Sequence, residues 1–265
     1  MATAAEPMSA GQASWLLRVA AVSHVGEVRR RNEDALSICG WRVGPAPAEL
    51  RPAPGGRPFV VVADGMGGHP AGDEASRFAL DLIEGRADRL DVAGAAGLLA
   101  EVNLGLFTYG QSRPEASGAG CTLAGVAVDG DRLCVFNVGD CSVFRVADGY
   151  LGLLSTEDRP PRMPGQPEGV RVTAVSQCLG ATVDQPSTIR PHVHAVEVWP
   201  GDRFLVCSDG LTDVLAAAAI GRAMQREPLE AAGSLLAQTL AAGAPDNVSL
   251  AVVEVLGPDD PEEVR

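Results

Sequence analysis

Four acidic residues share one context, each standing at the end of a strongly apolar run. Asp64 follows Val60-Val61-Val62-Ala63, Asp140 follows Val135-Phe136-Asn137-Val138-Gly139, Asp209 follows Leu205-Val206-Cys207-Ser208, and Asp246 precedes Asn247-Val248-Ser249. Taken singly, an Asp-Gly after a strand is an ordinary turn, because Asp bonds nearby backbone and Gly supplies positive φ. Taken together on central strands, the four would line carboxylates along one sheet edge. At about 5 Å and an effective dielectric near 20, each like-charged pair costs about 3 kcal/mol. A fold keeps such a cluster only with a compensating cation. All the candidate donors are oxygens, and no His or Cys stands beside them at zinc-site spacing, so the ion is expected to be hard, Mg2+ or Mn2+.

The elements that must hold these carboxylates are legible as strand-like runs at Leu16 to Val22, Phe59 to Ala63, Thr122 to Val128, Leu133 to Val138, Ser142 to Val146, Val193 to Val198, Arg203 to Cys207 and Val248 to Val255. Many are β-branched or alternate in polarity. Asp129-Gly130-Asp131 and Asp148-Gly149 fall between such runs and read as hairpin turns, which implies antiparallel sheet. Helical patterns fill Asp73 to Arg89, Leu98 to Tyr109, Val214 to Arg226 and Leu229 to Ala242. Strand runs separated by helix pairs predict an α+β layered sandwich, with sheets covered by helices. One domain is expected over residues 13–257, with flexible ends at 1–12 and 258–265. The Pro-, Arg- and Gly-rich stretch 158–169 has no period and is expected to be a flap-like surface loop.

Composition removes several alternatives. The formal charge of −13 argues against a nucleic-acid partner, since that affinity comes from clustered cations neutralising phosphates. Lysine is absent and all 21 basic residues are Arg, which excludes a P-loop Lys, a kinase Lys and Schiff-base chemistry. No apolar run approaches the roughly 18 residues of a membrane span. With no secretory signal readable at the start, a cytoplasmic location without membrane association is expected. Six cysteines, scattered without a Cys-x-x-Cys pair, read as reduced core residues. None has an Arg six positions on, which excludes cysteine-nucleophile phosphatases.

Six motifs in order make the reading specific: Arg29-Arg30-Arg31-Asn32-Glu33-Asp34, Ala63-Asp64-Gly65-Met66-Gly67-Gly68-His69, Gly120-Cys121-Thr122, Val138-Gly139-Asp140, Cys207-Ser208-Asp209-Gly210-Leu211 and Pro245-Asp246-Asn247. The series resembles that of the metal-dependent protein phosphatases (PPM family, type 2C) in their bacterial form, and runs from about Ala20 to Val255. The resemblance implies two packed antiparallel sheets flanked by helix pairs, a four-layer α-β-β-α sandwich, with a binuclear Mn2+ or Mg2+ site at one end. It implies that Asp64 bridges both metals and Gly65 offers its carbonyl, that Asp209 and Asp246 ligate one metal, and that Glu33 ligates the other partly through water. Asp34 would hydrogen-bond a ligand water, Asn247 would support the ligands from behind, and Asp140 matches the position of a weaker third metal. Five carboxylates outweigh the four positive charges of two divalent ions, so a phosphate dianion needs a further cation. Arg29, in register with the family's phosphate-binding arginine, could take two phosphate oxygens at once. Arg30 and Arg31 read as a solvated basic edge.

Three departures bear on mechanism. Met66 stands where animal members carry a proton-donating His, so leaving-group protonation falls to water, or to His69, which reads more simply as loop structure. Gly139-Asp140-Cys141-Ser142 replaces the usual Gly-Asp-Ser-Arg, and the stretch after Asp158 lacks the helical pattern of the family's flap. His192-Val193-His194 puts two imidazoles on one strand face but has no acidic residue near it in sequence, and is given no function. Trp15, Trp41 and Trp199 read as packing residues. The function expected is hydrolysis of phosphoserine and phosphothreonine in proteins by a monomer opposing a bacterial serine/threonine kinase. The alternative is a catalytically weak module that binds phosphoproteins or a kinase, which the intact ligand set argues against.

Overall fold

The computed structural model describes residues 15–52, 57–66, 71–147, 150–160 and 174–257. Its strands are β1 (Leu16–His24), β2 (Asp34–Ile38), β3 (Trp41–Arg42), β4 (Ala48–Leu50), β5 (Phe59–Met66), β6 (Gly120–Asp129), β7 (Arg132–Val138), β8 (Ser142–Ala147), β9 (Tyr150–Leu153), β10 (Leu179–Gly180), β11 (His192–Glu197), β12 (Arg203–Cys207) and β13 (Val248–Leu256). The helices are α1 (Ala71–Glu84), α2 (Ala95–Ser112), α3 (Asp209–Thr212), α4 (Ala217–Ala223) and α5 (Pro228–Ala241). One sheet runs β4-β1-β13-β12-β8-β9 and the other β11-β7-β6-β5-β2-β3, with β10 beside β6. The pairings are antiparallel.

Strand periodicity of two builds the layers. On β5, Val60 and Val62 enter the core between the sheets, beside Leu17, Val19, Ile38, Val126, Phe204 and Val253. The alternate residues Val61 and Ala63 face the other way and pack with Ala75, Ala79 and Leu80 of α1 and Leu98, Leu99 and Val102 of α2. The first sheet does the same on its outer side, where Leu205, Leu250 and Val252 meet Ile220 of α4 and Ala231, Ala232 and Leu235 of α5. Three apolar layers between four layers of structure make the expected α-β-β-α sandwich. Among the described residues, no helix is long and apolar enough to cross a membrane.

Each strand-like run of the sequence is a strand in the structure. The β6–β7 hairpin turns through Gly130-Asp131, with Gly130 at φ +63 and Asp129 paired to Arg132. Strands β8 and β9 pair across the other expected turn, whose residues 148–149 lie outside the described set. Five short strands escaped the pattern, β2, β3, β4, β9 and β10, because runs of two to five residues carry almost no periodicity. The expected helix at Asp73 to Arg89 stops at Glu84 before Gly85, and a separate 3-10 turn follows at Ala87–Arg89. The expected helix Val214 to Arg226 begins only at Ala217, because Ala216 is extended. That break lets Leu211 and Ile220 both reach the same outer core. Of the cysteines, Cys121, Cys134, Cys141 and Cys207 are buried, but Cys39 is exposed. Trp41 and Trp199, expected as packing residues, are also exposed, and Arg145 lies over the Trp199 ring.

Phe136 is fully buried, and a Cβ on the facing Gly125 would lie 2.5 Å from its ring, so ring and glycine are complementary. Phe136→Ala is expected to lower unfolding free energy by about 3–5 kcal/mol in a chemical denaturation experiment. A loss under about 1 kcal/mol would contradict this packing.

Candidate active site

The faces that pack between the sheets turn polar at one end. Continuing the inward rows two residues at a time leads from Val19 and Ala21 to Ser23, from Ile38 and Leu36 to Asp34, and from Val60 and Val62 to Asp64. On the partner strands the same step leads from Val126 and Ala124 to Thr122, from Phe204 and Val206 to Ser208, and from Val253 and Ala251 to Ser249. Register brings these ends together: Asp34 pairs with Asp64, Asp64 with Thr122, and Ser23 with Ser249. Asp34 and Asp64 are thus like charges directly opposite on neighbouring strands, a destabilising pair if nothing offsets it.

A buried hydrogen-bond chain fastens the two sheets at this end. The Ser208 hydroxyl donates to Asp34 Oδ2 at 2.7 Å and accepts from the Ser249 N–H at 3.0 Å. Ser249 and Ser23 hydroxyls are 2.8 Å apart, and Asn32 donates to Ser23 at 2.8 Å. Asn247, buried, orders the loop before β2: its Oδ1 accepts from the Glu33 N–H at 2.8 Å, and its amide donates to the carbonyls of Val25 at 2.9 Å and Arg31 at 2.8 Å.

The candidate residues take the following places. Asp64 continues the inward row of β5 past Val62, and the Gly65 N–H donates to the Glu33 carbonyl at 3.2 Å. A Cβ placed on Gly72 would lie 2.6 Å from Glu33 Oε2 and 3.1 Å from the Gly65 carbonyl oxygen. Both oxygens therefore lie against Gly72, where any side chain would crowd them. Asp209 opens α3, and Asp246 stands in the loop before β13 with Asn247. Arg29 Nη2 donates to Asp246 Oδ2 at 2.7 Å, with both side chains about half exposed. Met66 is the last residue of β5, and His69 lies outside the described residues.

Electrostatics shows the cost of the arrangement. Asp34, 6% exposed, is pushed up to about 7 by burial, helped by Asp209 and Asp246 and opposed by the Ser208 and Ser249 hydroxyls. Burial also lifts Asp64 well above the usual carboxylate range, with the charges of Asp34, Asp209, Asp140 and Asp246 adding to it. Asp140 rises to about 6 through burial and then Asp209, against the opposing pull of Arg159, its own backbone N–H and Thr122. Among the described residues, no three His, Cys, Asp or Glu side chains form a ready metal cage. The donor set nevertheless fits hard cations: oxygen ligands only, a backbone carbonyl and the Glu33 carboxylate both packed against the side-chain-free Gly72, and carboxylates that resist ionising without added positive charge.

Two groups escaped sequence reasoning. The serines carry no charge and stand out only when the apolar rows are continued past their last Val or Ala. Arg159, in the stretch expected to be a surface loop, turns inward: its Nη2 lies 3.1 Å from Asp140 Oδ2, 3.3 Å from Asp209 Oδ2 and 3.4 Å from Asp213 Oδ1. Its neighbour Asp158 is 2.9 Å from His192 Nε2, so the imidazole left without a function does have an acidic partner, 34 residues away in sequence. Residues 161–169 of that stretch lie outside the described set.

Residues 49–256 match the protein phosphatase 2C family, a span that holds Asp64, Asp140, Asp209 and Asp246 but not Arg29 to Asp34. Serine/threonine protein phosphatase PstP of Mycobacterium tuberculosis is 29% identical over 92% of the chain. The chain spans about half the length of that relative, 46%. Serine/threonine phosphatase stp of Listeria innocua is 26% identical over 75% of the chain and 84% of its own length. Among solved structures, the catalytic domain of PstP in complex with two manganese ions superposes with a TM-score of 0.73 at 27% identity, covering 92% of this chain and all of that one.

A carboxyl more basic in the folded than in the unfolded chain makes the folded state hold extra protons, so its stability falls as pH rises from the ordinary carboxylate value through the folded one. For Asp34 that window runs from 3.8 to about 7. The metal-free protein, in chelator at fixed salt, is therefore expected to melt several degrees higher at about pH 5 than at about pH 8, and Asp34→Asn to reduce the difference while Asp64 and Asp140 keep the rest. A parent profile that rises toward alkaline pH would contradict it.

Proposed function

Because the chain belongs to the protein phosphatase 2C family, we propose that it hydrolyses phosphoserine and phosphothreonine in proteins with the help of bound Mn2+ or Mg2+. The observation that carries this reading is the polar end of the sandwich, where Asp34, Asp64, Asp140 and Asp209 are held together against burial and mutual repulsion. Glu33, Asp64, the Gly65 carbonyl, Asp209 and Asp246 would hold two divalent cations, the number described for the PstP catalytic domain. Asp140 stands where the family resemblance puts a weaker third. When bound, such ions supply a nucleophilic water near neutral pH and a positive clamp on phosphoryl oxygens.

The chain's own residues do the rest. Arg29, exposed on a flexible stem beside Asp246, would turn its guanidinium to two phosphoryl oxygens and hold the phosphate in line for attack. Asp34 would accept a hydrogen bond from a ligand water, its carboxylate oriented by Ser208. Asn247 would keep the Arg29–Glu33 loop against Asp246, fixing the spacing between phosphate and metal ligands. The Met66 position offers no proton, so leaving-group protonation falls to solvent. A cytoplasmic monomer opposing a serine/threonine kinase is the setting this chemistry suits, since the substrate is what such a kinase makes.

Phosphate release from p-nitrophenyl phosphate and from a phosphothreonine peptide tests the proposal. Turnover that requires Mn2+ or Mg2+ and is lost in Asp64→Ala is expected; a phosphopeptide bound in Mn2+ yet unchanged for hours would mean a binding module instead. Arg29→Ala is expected to lower kcat/KM by about tenfold to a hundredfold, the equivalent of one charge-assisted hydrogen-bond pair. An unchanged kcat/KM would remove Arg29 from phosphate binding.

A further inference from the structure

We infer that Arg159 is a built-in cation of the site, holding the place beside Asp140 and Asp209 that a third divalent ion would otherwise take. The inference rests on the two-metal phosphatase reading and concerns this chain's own side chain.

The geometry is that of a shared cation. One guanidinium nitrogen lies 3.1 Å from Asp140, 3.3 Å from Asp209 and 3.4 Å from Asp213. Arg159 and Asp209 side chains are each 16% exposed and Asp140 only 4%, so this is not a solvated surface pair. Low exposure keeps the attraction from being screened by salt. An ion entering between Asp140 and Asp209 would have to displace the guanidinium and face its positive charge.

The backbone holds the arginine there independently of those contacts. Asp158 and Gly139, the residues just before Arg159 and Asp140, clasp each other: the Asp158 N–H donates to the Gly139 carbonyl at 3.0 Å, and the Gly139 N–H donates to Asp158 Oδ2 at 2.8 Å. Gly139 takes φ +98 to present its N–H in this way. Gln177 donates to the same Asp158 oxygen at 2.7 Å, and His192 of the edge strand β11 lies 2.9 Å from the other. The two segments are thus joined one residue away from the ion pair, which fixes Arg159 opposite Asp140. Asp213 completes the pocket from the end of α3, its N–H bonded to the Asp209 carbonyl at 2.7 Å.

Equilibrium dialysis of the intact chain against millimolar Mn2+, with bound metal counted by mass spectrometry, tests this without using activity. The parent is expected to hold two ions. Arg159→Ala and Arg159→Gln should gain one ion per chain, lost again when Asp140→Asn is added, while Arg159→Lys, which keeps the charge, stays at two. A parent that holds three ions, or folded Ala and Gln variants that stay at two, would overturn the inference and leave the phosphatase reading standing. A parent that holds no Mn2+ would instead overturn the phosphatase reading itself. Should Ala and Gln fail to fold, the neutral and similarly long Arg159→Met takes their place, and two ions in that folded variant would overturn the inference in the same way.

Discussion

Carboxylates gathered at the end of an apolar sandwich repel one another, and they do so where water cannot screen them. Asp34 and Asp140 are almost wholly buried, and Asp64 faces Asp34 across a strand pair. The fold supplies the opposite charge from two sides, Arg29 on Asp246 and Arg159 on Asp140 and Asp209. Much of the surrounding structure serves this balance, since an unpaired charge at these depths would cost several kcal/mol.

One consequence is the hydroxyl chain that joins the sheets. The core between the sheets is mostly apolar, and apolar contact tolerates small sliding that would not fix a carboxylate to within a few tenths of an ångström. Ser208 links Asp34 of one sheet to Ser249 of the other through short, buried bonds. Hydrogen bonds are directional where apolar contacts are not. The site therefore borrows rigidity from strands and precision from serines, while Asn247 passes that precision on to the Glu33 loop. Arg29 and Arg159, by contrast, stand on the loops before β2 and after β9.

The layers were legible because unbroken apolar runs such as Val60 to Ala63 or Leu250 to Val253 mark strands buried on both faces. The carboxylates were legible because charge at the end of an apolar run is conspicuous. Ser208 and Ser249 were hidden by being small and neutral, although the rule that found Asp64, two residues past Val62, also finds them two past Val206 and two before Ala251. Arg159 and His192 were hidden for a different reason. Arg159 meets Asp140 and Asp209, 19 and 50 positions away, and His192 meets Asp158, 34 positions away, and such distant contacts from a loop leave no pattern in a single sequence. The short strands β3 and β10 exist only by pairing with a longer neighbour, so local reading cannot see them.

The absence of lysine gives the site a particular electrical character. An ammonium can lose its proton when burial or its surroundings change. A guanidinium keeps its proton, and one nitrogen of Arg159 lies within 3.4 Å of Asp140, Asp209 and Asp213 alike. The positive side of the balance is therefore constant with pH. Any response of the site to pH must come from the negative side, from Asp34, Asp64 and Asp140, whose burial has already moved them upward toward neutrality. Cation binding and proton release are then two views of one event, because positive charge arriving beside these carboxylates favours the form that has lost its proton.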